Sequence, residues 1–264
     1  MTHSPASSKW VHVLHEDPSL LVVAKPAGLV CHPTKGDSAS SLIGRVRLHL
    51  GADEEPQMVH RLDRETSGVM VFGKTAERSL ELRDLWQQGF VTKEYVALVH
   101  GHPSDEEGLL DARIGPDPNS EVAIRDCVRP DGARARTRFR VERRFERPEG
   151  RFSLVRAWLD TGRKHQIRIH FAHWGHPLVG DKLYGCEPDL YLDFVRRRLT
   201  PEQRRALLLP CHALHAIRLW LPIDGHEHEF ESPPETPFGR FASGESVEWT
   251  TDPFDPQRPS EGVD

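Results

Sequence analysis

The sequence predicts an α+β fold, a mixed, mostly antiparallel β-sheet core with flanking helices. Three observations predict it. Apolar runs such as 20–24 and 69–72 are short and bounded by turn residues, which suits buried strands. Residues 134–141 alternate strictly, with Arg134, Arg136, Arg138 and Arg140 interleaved by Ala135, Thr137, Phe139 and Val141, so strand periodicity puts the four arginines on one face. Helical spacing is confined to a few stretches scattered among the strands, and no βαβ repeat organises them.

In chain order, residues 1–9 are polar and expected to be disordered. Residues 10–14 alternate and 20–24 form a short strand. Lys25-Pro26-Ala27-Gly28 then turns the chain, because proline lacks a donor and glycine permits positive φ. Residues 40–50 read as a helix with Leu42, Ile43, Val46 and Leu50 on one face. Val69-Met70-Val71-Phe72 is a core strand ending at Gly73. Thr75 caps a helix to about Gln88, with Leu80, Leu82, Leu85 and Trp86 as its apolar side and Gly89 as its stop. The strand at 92–99 places Lys93 and Tyr95 on the same face. Short strands and turns occupy 111–144, followed by a strand at 152–159, a Thr161-Gly162 turn and a helix over 163–174 ended by Gly175. One or two helices lie in 190–208, broken near Thr200-Pro201, and 215–221 is a late strand. From 231 proline and acid dominate. The expected organisation is therefore a disordered 1–9, a catalytic domain over 10–230, and a loosely ordered acidic tail over 231–264.

The 264 residues are ample for a sizeable core. A net charge of −5 taken alone argues against a nucleic-acid binder, but its distribution does not. Residues 125–168 hold fourteen Arg and Lys against six Asp and Glu, whereas 221–264 hold two against eleven. A basic middle is the footprint expected of phosphate contacts, and equally of a solvated strand face. The four cysteines, Cys31, Cys127, Cys186 and Cys211, form no CxxC pair. With the longest early apolar run at 20–24, too short for a signal peptide core or a membrane span, the expectation is a cytoplasmic protein with reduced thiols and no membrane partner.

The most informative stretch is His60-Arg61-Leu62-Asp63-Arg64-Glu65-Thr66-Ser67-Gly68. It sets one carboxylate, Asp63, between two arginines in the loop that enters a core strand. A rigid scaffold can hold a reactive group there, and flanking guanidinium groups favour its ionised form. Such a layout suits an acidic nucleophile working beside a phosphate-bearing substrate. An Asp between arginines is also the pattern of a structural ion pair, as a strand Tyr is of packing and a helical Arg of a solvated surface.

Three segments in order change that balance. They are the nine residues above, Lys93-Glu94-Tyr95, and Thr161-Gly162-Arg163-Lys164-His165-Gln166-Ile167-Arg168-Ile169-His170 continuing through Gly175-His176-Pro177-Leu178-Val179-Gly180-Asp181. With Lys25-Pro26-Ala27-Gly28 ahead of them, the chain resembles the RluA-type RNA pseudouridine synthases over roughly 10–221. The resemblance implies an isomerase that needs no cofactor and converts selected uridines of tRNA or large-subunit rRNA to pseudouridine. It puts the catalytic aspartate at Asp63, the active-site tyrosine at Tyr95 and the active-site arginine at Arg168, where it would keep Asp63 charged and oriented. Arg61 would enter the RNA and help displace the target nucleotide. His60, Lys25, Arg64, Lys93, Arg163, Lys164, His165 and Gln166 are the further expected RNA contacts, although Lys25, Arg64 and Gln166 could serve the scaffold instead. Whether Asp63 attacks C1′ or C6, or acts through a glycal, stays open. Many relatives carry an N-terminal S4 RNA-binding domain, for which the nine residues ahead of the first strand leave no room. The Arg- and Leu-rich stretch 187–210 then reads as a variable insertion able to touch RNA.

Two other readings compete. One is a catalytically silent RNA-binding or RNA-folding protein on the same scaffold, which would have no need of Asp63, Tyr95 and Arg168 together. The other is a metal-dependent hydrolase built on His165, His170, His173 and His176, for which no acidic or Cys ligand pattern is present. No metal is expected, and a monomer is the default.

Overall fold

A computed structural model describes residues 10–33, 38–51, 54–185 and 190–247. In chain order the elements are β1 (His12–Glu16), β2 (Leu20–Lys25), α1 (Leu42–Leu50), β3 (Gln57–Met58), β4 (Ser67–Gly73), α2 (Ala76–Gln88), β5 (Thr92–His100), β6 (Glu107–Asp111), β7 (Ile114–Pro116) and β8 (Asp126–Val128). They continue with β9 (Arg136–Arg147), β10 (Gly150–Leu159), α3 (Gln166–His173), α4 (Leu190–Val195), α5 (Pro201–Leu207), β11 (Leu214–Ile223), β12 (His226–Glu231) and α6 (Thr236–Ala242). Where one catalytic domain is expected over 10–230, the chain divides into two compact units. The first takes the described residues up to Lys93 together with His215–Glu235; the second takes Glu94–Leu214 and the segment from Thr236. The divisions fall inside β5 and β11, two uninterrupted strands, so no linker composition marks them.

In the first unit β2 lies between β1 and β4, antiparallel to both, and β3 pairs with the far end of β4. All seven residues of β4 are buried. That explains its unbroken apolar run, since a strand covered on both faces has no polar side to alternate with. β11 joins β4 in parallel, with His215 opposite Ser67 and Ala216 opposite Gly68, and β12 returns antiparallel to β11. The sheet is therefore mixed. Leu20, Val22, Val69, Val71, Leu82, Leu219, Leu221 and Ile223 form its core, with Trp86 packed against them. α2 starts where Thr75 accepts the Arg78 N–H and stops at Gly89, whose φ of 75° is left-handed.

In the second unit β10 runs antiparallel between β5 and β9, and β6 pairs with the outer side of β9. β7 and β8 form a separate ribbon. The alternation read in the sequence is present in β9: Thr137, Phe139 and Val141 are buried while Arg138 and Arg140 are exposed. α3 begins at Gln166 instead of 163. Arg163 and Lys164 belong to the preceding turn, and His165 sits at the cap with a left-handed φ of 57°.

Part of the stretch expected to be a loosely ordered tail carries regular structure. Residues 236–242 form α6, whose Phe238 and Phe241 are buried; Phe241 meets Phe152 edge-on at 5.1 Å and lies under the Arg147 guanidinium at 4.2 Å. Two apolar residues spaced by three on one helical face outweighed a polar, proline-rich composition. The expected disorder of 1–9, the tail beyond 247 and Cys186 lie outside the described residues. Cys31 and Cys127 carry free thiols. None of the described helices is long and apolar enough to cross a membrane.

Candidate active site

The Asp63 loop is fastened along the turn that follows β2. Gly28, at φ 88°, donates its N–H to the Arg64 carbonyl at 2.9 Å, and Arg64 Nε donates back to the Gly28 carbonyl at 3.0 Å. Cys31 Sγ reaches the Leu62 carbonyl at 3.3 Å, and the Thr66 N–H closes the turn on the Asp63 carbonyl at 3.2 Å. Lys25 ties the two segments together from inside. Only 1% exposed, it donates through Nζ to the carbonyls of Pro26 (2.9 Å), Leu29 (2.8 Å) and Arg64 (3.0 Å). An ammonium has three donors, and three backbone acceptors match them. Through these bonds Lys25 ties the Asp63 loop to the turn after β2. Asp63 itself is half-buried, while Arg61 and Arg64 are exposed on either side of buried Leu62.

Beyond the loop the chain enters β4 under tight constraint. Gly68 has φ 117°, and a Cβ there would stand 2.2 Å from the Ala216 carbonyl oxygen. Only glycine lets β11 lie this close. One residue earlier, Ser67 Oγ is 2.8 Å from His215 Nδ1, and His215 Nε2 is 2.8 Å from the Ser232 carbonyl. The carbonyl can only accept, so Nε2 carries the proton and Nδ1 accepts from Ser67. Burial lowers the His215 pKa to about 4, in keeping with a neutral ring. His60 is similarly committed to the interior. Its Nε2 accepts the Val71 N–H at 3.2 Å and its ring stacks on Trp86 at 4.6 Å. Burial, with the Lys93 charge second, brings its pKa down to about 3. This ring supports the strand behind Asp63. Lys93 is half-buried, and burial lowers its pKa as well.

In the second unit Tyr95 is 6% exposed on β5, opposite Ala157 of β10. Arg168 lies on the buried side of α3. Its Nε and Nη2 donate to the two carboxylate oxygens of Asp181 at 2.7 and 2.9 Å. Asp181 Oδ1 also accepts the N–H groups of Leu183 (2.9 Å) and Tyr184 (3.1 Å). Burial alone would raise the Asp181 pKa, but the Arg168 guanidinium overrides it and holds the carboxyl well below the usual range. The Arg168 guanidinium carbon sits 5.0 Å from the centre of the Tyr184 ring. The Tyr184 hydroxyl accepts the Asp126 N–H at 3.3 Å and lies 2.8 Å from His165 Nδ1; burial pushes its pKa up, so it stays protonated.

Gln166 is 2% exposed. Its oxygen accepts from the Thr161 hydroxyl (2.7 Å) and the Arg163 N–H (3.0 Å), and its nitrogen donates to the Arg136 carbonyl (2.8 Å) and the Thr137 hydroxyl (3.0 Å). All four bonds fasten the turn to β9. Arg163 and Lys164 remain exposed; Arg163 donates to the Arg134 carbonyl, and Lys164 pairs with Asp126 at 3.0 Å. Of the four histidines weighed as metal ligands, His165, His170 and His176 have other partners. His170 donates from Nε2 to the Ala112 carbonyl and accepts at Nδ1 from Thr137, and His176 Nδ1 meets the His100 carbonyl. Among the described residues no three His, Cys, Asp or Glu side chains are grouped to hold a metal.

The basic face is also less bare than its composition implies. Arg136 pairs with Asp111 at 3.3 Å, Arg138 with Asp160 at 2.9 Å, Arg140 with Glu142 at 3.9 Å and Arg144 with Glu106 at 2.7 Å. Asp111, Glu106 and Asp160 come from neighbouring strands and turns, which a count along the chain does not reveal. Sequence reasoning also missed Asp181, Tyr184 and His215 as supporting residues. Asp181 stood within the third motif, but its partner could be named only from the fold.

The RNA pseudouridylate synthase family model matches residues 19–173, a span that includes Lys25, Asp63, Tyr95 and Arg168. An uncharacterized RNA pseudouridine synthase of Aquifex aeolicus is 35% identical over 237 residues, covering 86% of this chain and 70% of that protein. The ribosomal large subunit pseudouridine synthase D of Nitrosomonas europaea is 37% identical over 229 residues, covering 84% of this chain and 61% of that protein. Among solved structures, human RNA pseudouridylate synthase domain containing 1 matches with a TM-score of 0.67 at 24% identity, over 88% of this chain and 86% of its own. That likeness concerns the α+β fold.

Proposed function

Because the chain belongs to the RNA pseudouridylate synthase family, whose members isomerise uridine in RNA to pseudouridine, we propose that it modifies large-subunit ribosomal RNA with Asp63 as the attacking carboxylate. The observation that carries the assignment is Asp63 itself, half-buried on a loop whose backbone is fixed by Lys25, Gly28, Cys31 and Arg64. Pre-positioning of this kind is what a nucleophile needs and a surface ion pair does not.

The chemistry balances without oxidant or cofactor. The N1–C1′ bond breaks, the uracil turns over, and a C5–C1′ bond forms. C5 then loses its proton and N1 gains one. A stacked base cannot do this, so the nucleotide is flipped out at a cost of a few kcal/mol, with exposed Arg61 as the wedge. Tyr95 carries the uracil while it is detached, and Arg168 supplies a fixed positive charge to the reaction. The ribosomal target is supported by the name of the Nitrosomonas europaea relative; tRNA is the other arm of the test.

The test is pseudouridine mapping of total RNA from cells with the gene, without it, and carrying Asp63→Asn. A ribosomal uridine unmodified in both the deletion and the Asp63→Asn strain is the expected result. Loss at a tRNA position would move the substrate. A site lost in the deletion but kept by Asp63→Asn would remove Asp63 from its role. An unchanged map together with intact RNA binding would favour the silent binder.

A further inference from the structure

We propose that Asp181 and Tyr184 are positioning residues that fix the plane and direction of the Arg168 guanidinium. This rests on the reading of Arg168 as an active-site group. The inference comes from the way one turn of chain grips the side chain from two directions. Asp181 takes Nε and Nη2 in the guanidinium plane, at 2.7 and 2.9 Å, with both its own oxygens. The Tyr184 ring lies beside the guanidinium, 5.0 Å from its carbon. The grip is itself braced. Asp181 is 0% exposed and accepts two backbone N–H groups from Leu183 and Tyr184, while the Tyr184 hydroxyl is held between the Asp126 N–H and His165.

A buried Arg–Asp pair is weak evidence for stability, because desolvation offsets most of the attraction. It is a strong device for orientation. A side-on bidentate pair removes rotation about the last bonds of the arginine, and an aromatic face removes tilt. Charge aimed at a reacting centre is worth most when it does not have to reorganise during the reaction. Neither Asp181 nor Tyr184 needs to touch RNA for this.

The test uses the full-length protein and total RNA from cells lacking the gene, labelled with tritium at uracil C5, with tritium release as the readout. Tyr184→Leu removes the ring face, and kcat should fall about tenfold with KM unchanged. Tyr184→Phe restores the ring and should bring kcat back to within about threefold of wild type. In an Arg168→Lys background, where no planar fork remains to be held, Tyr184→Leu should have no further effect. Asp181→Asn should lower kcat similarly where it folds; the Tyr184 series decides the matter if it does not. Wild-type kcat in Tyr184→Leu, or an undiminished effect in the Arg168→Lys background, overturns the proposal while leaving the functional reading intact. Absence of tritium release by the wild-type protein overturns the functional reading, and this proposal with it.

Discussion

Gly68→Ala isolates the close approach on which the Asp63 loop depends. Gly68 sits at φ 117°, where an L side chain is strained, and strain of this kind costs about 1–3 kcal/mol. The added Cβ would also stand 2.2 Å from the oxygen, 2.6 Å from the nitrogen and 2.7 Å from the carbonyl carbon of Ala216. Those are backbone atoms of a paired strand and cannot swing aside, so β11 must shift, at roughly another 1–3 kcal/mol for overpacking. The sum is about 4 kcal/mol. With a urea m-value of about 2 kcal/mol/M, the unfolding midpoint should fall by about 2 M. Gly51→Ala supplies the control: its φ is 103°, but nothing lies within 4 Å of the added Cβ, so only the strain remains. Urea titrations followed by tryptophan fluorescence should separate the two variants by at least about 0.5 M. Equal midpoints would refute the reasoning, because strain alone would then account for Gly68. The fraction of Gly68→Ala that stays folded should also turn over slowly, since about 1 Å of displacement at a reacting group can cost about 100-fold in rate.

Three other outcomes are expected. Lys25→Met removes the Nζ donor from the Pro26 and Leu29 carbonyls and one of two donors from the Arg64 carbonyl, which keeps the Gly28 N–H, and should cost about 3 kcal/mol by thermal or urea melting, with kcat falling more than RNA affinity; a fall in affinity alone would favour an RNA contact by Lys25. Phe241→Ala should cost about 3–5 kcal/mol, because the ring packs edge-on against Phe152 under Arg147; an unchanged midpoint would mean that α6 adds nothing to the second unit. Stability should decline in acid. His215 and His60 have folded pKa values of about 4 and about 3 against an unfolded 6.5, so below 6.5 the unfolded chain binds more protons than the native one. Their contribution is fully present above pH 6.5, fades as pH falls, and from His215 alone amounts to roughly 3 kcal/mol lost by pH 4. His215→Gln should flatten the profile between pH 6.5 and 4; an unchanged slope would count against a buried neutral imidazole.

Much of the first unit was legible because its signals are local. The run that became β4 was apolar without interruption, and Thr75 and Gly89 marked both ends of α2 by their own chemistry. The motif around Asp63 was legible for the same reason: the groups that define it are contiguous. What escaped notice joins residues far apart in sequence. Ser67 and His215 are 148 positions apart, so neither shows that β11 runs beside β4. The start of α3 was misplaced because Gln166 draws the preceding turn onto β9, which a periodicity count reads as one more helical turn. The bonds that Lys25 and Gln166 make inside the fold were not legible either. Their partners are backbone carbonyls, an amide and hydroxyl groups, which every sequence carries and none advertises.

The pairing along β9 has a consequence for how RNA would be met. A bare row of arginines attracts any polyanion, and the counterions it releases favour every phosphate alike. Here Arg136, Arg138, Arg140 and Arg144 already face carboxylates. An incoming phosphate has to displace each one, an exchange that costs about 0.2–1 kcal/mol per pair at an exposed site. One such exchange is trivial, but several in series act as a toll on loose association. Only an RNA that engages many positions at once in the right geometry recovers it. An enzyme that must find one uridine among thousands, and then let go, gains from a surface that holds stray RNA weakly.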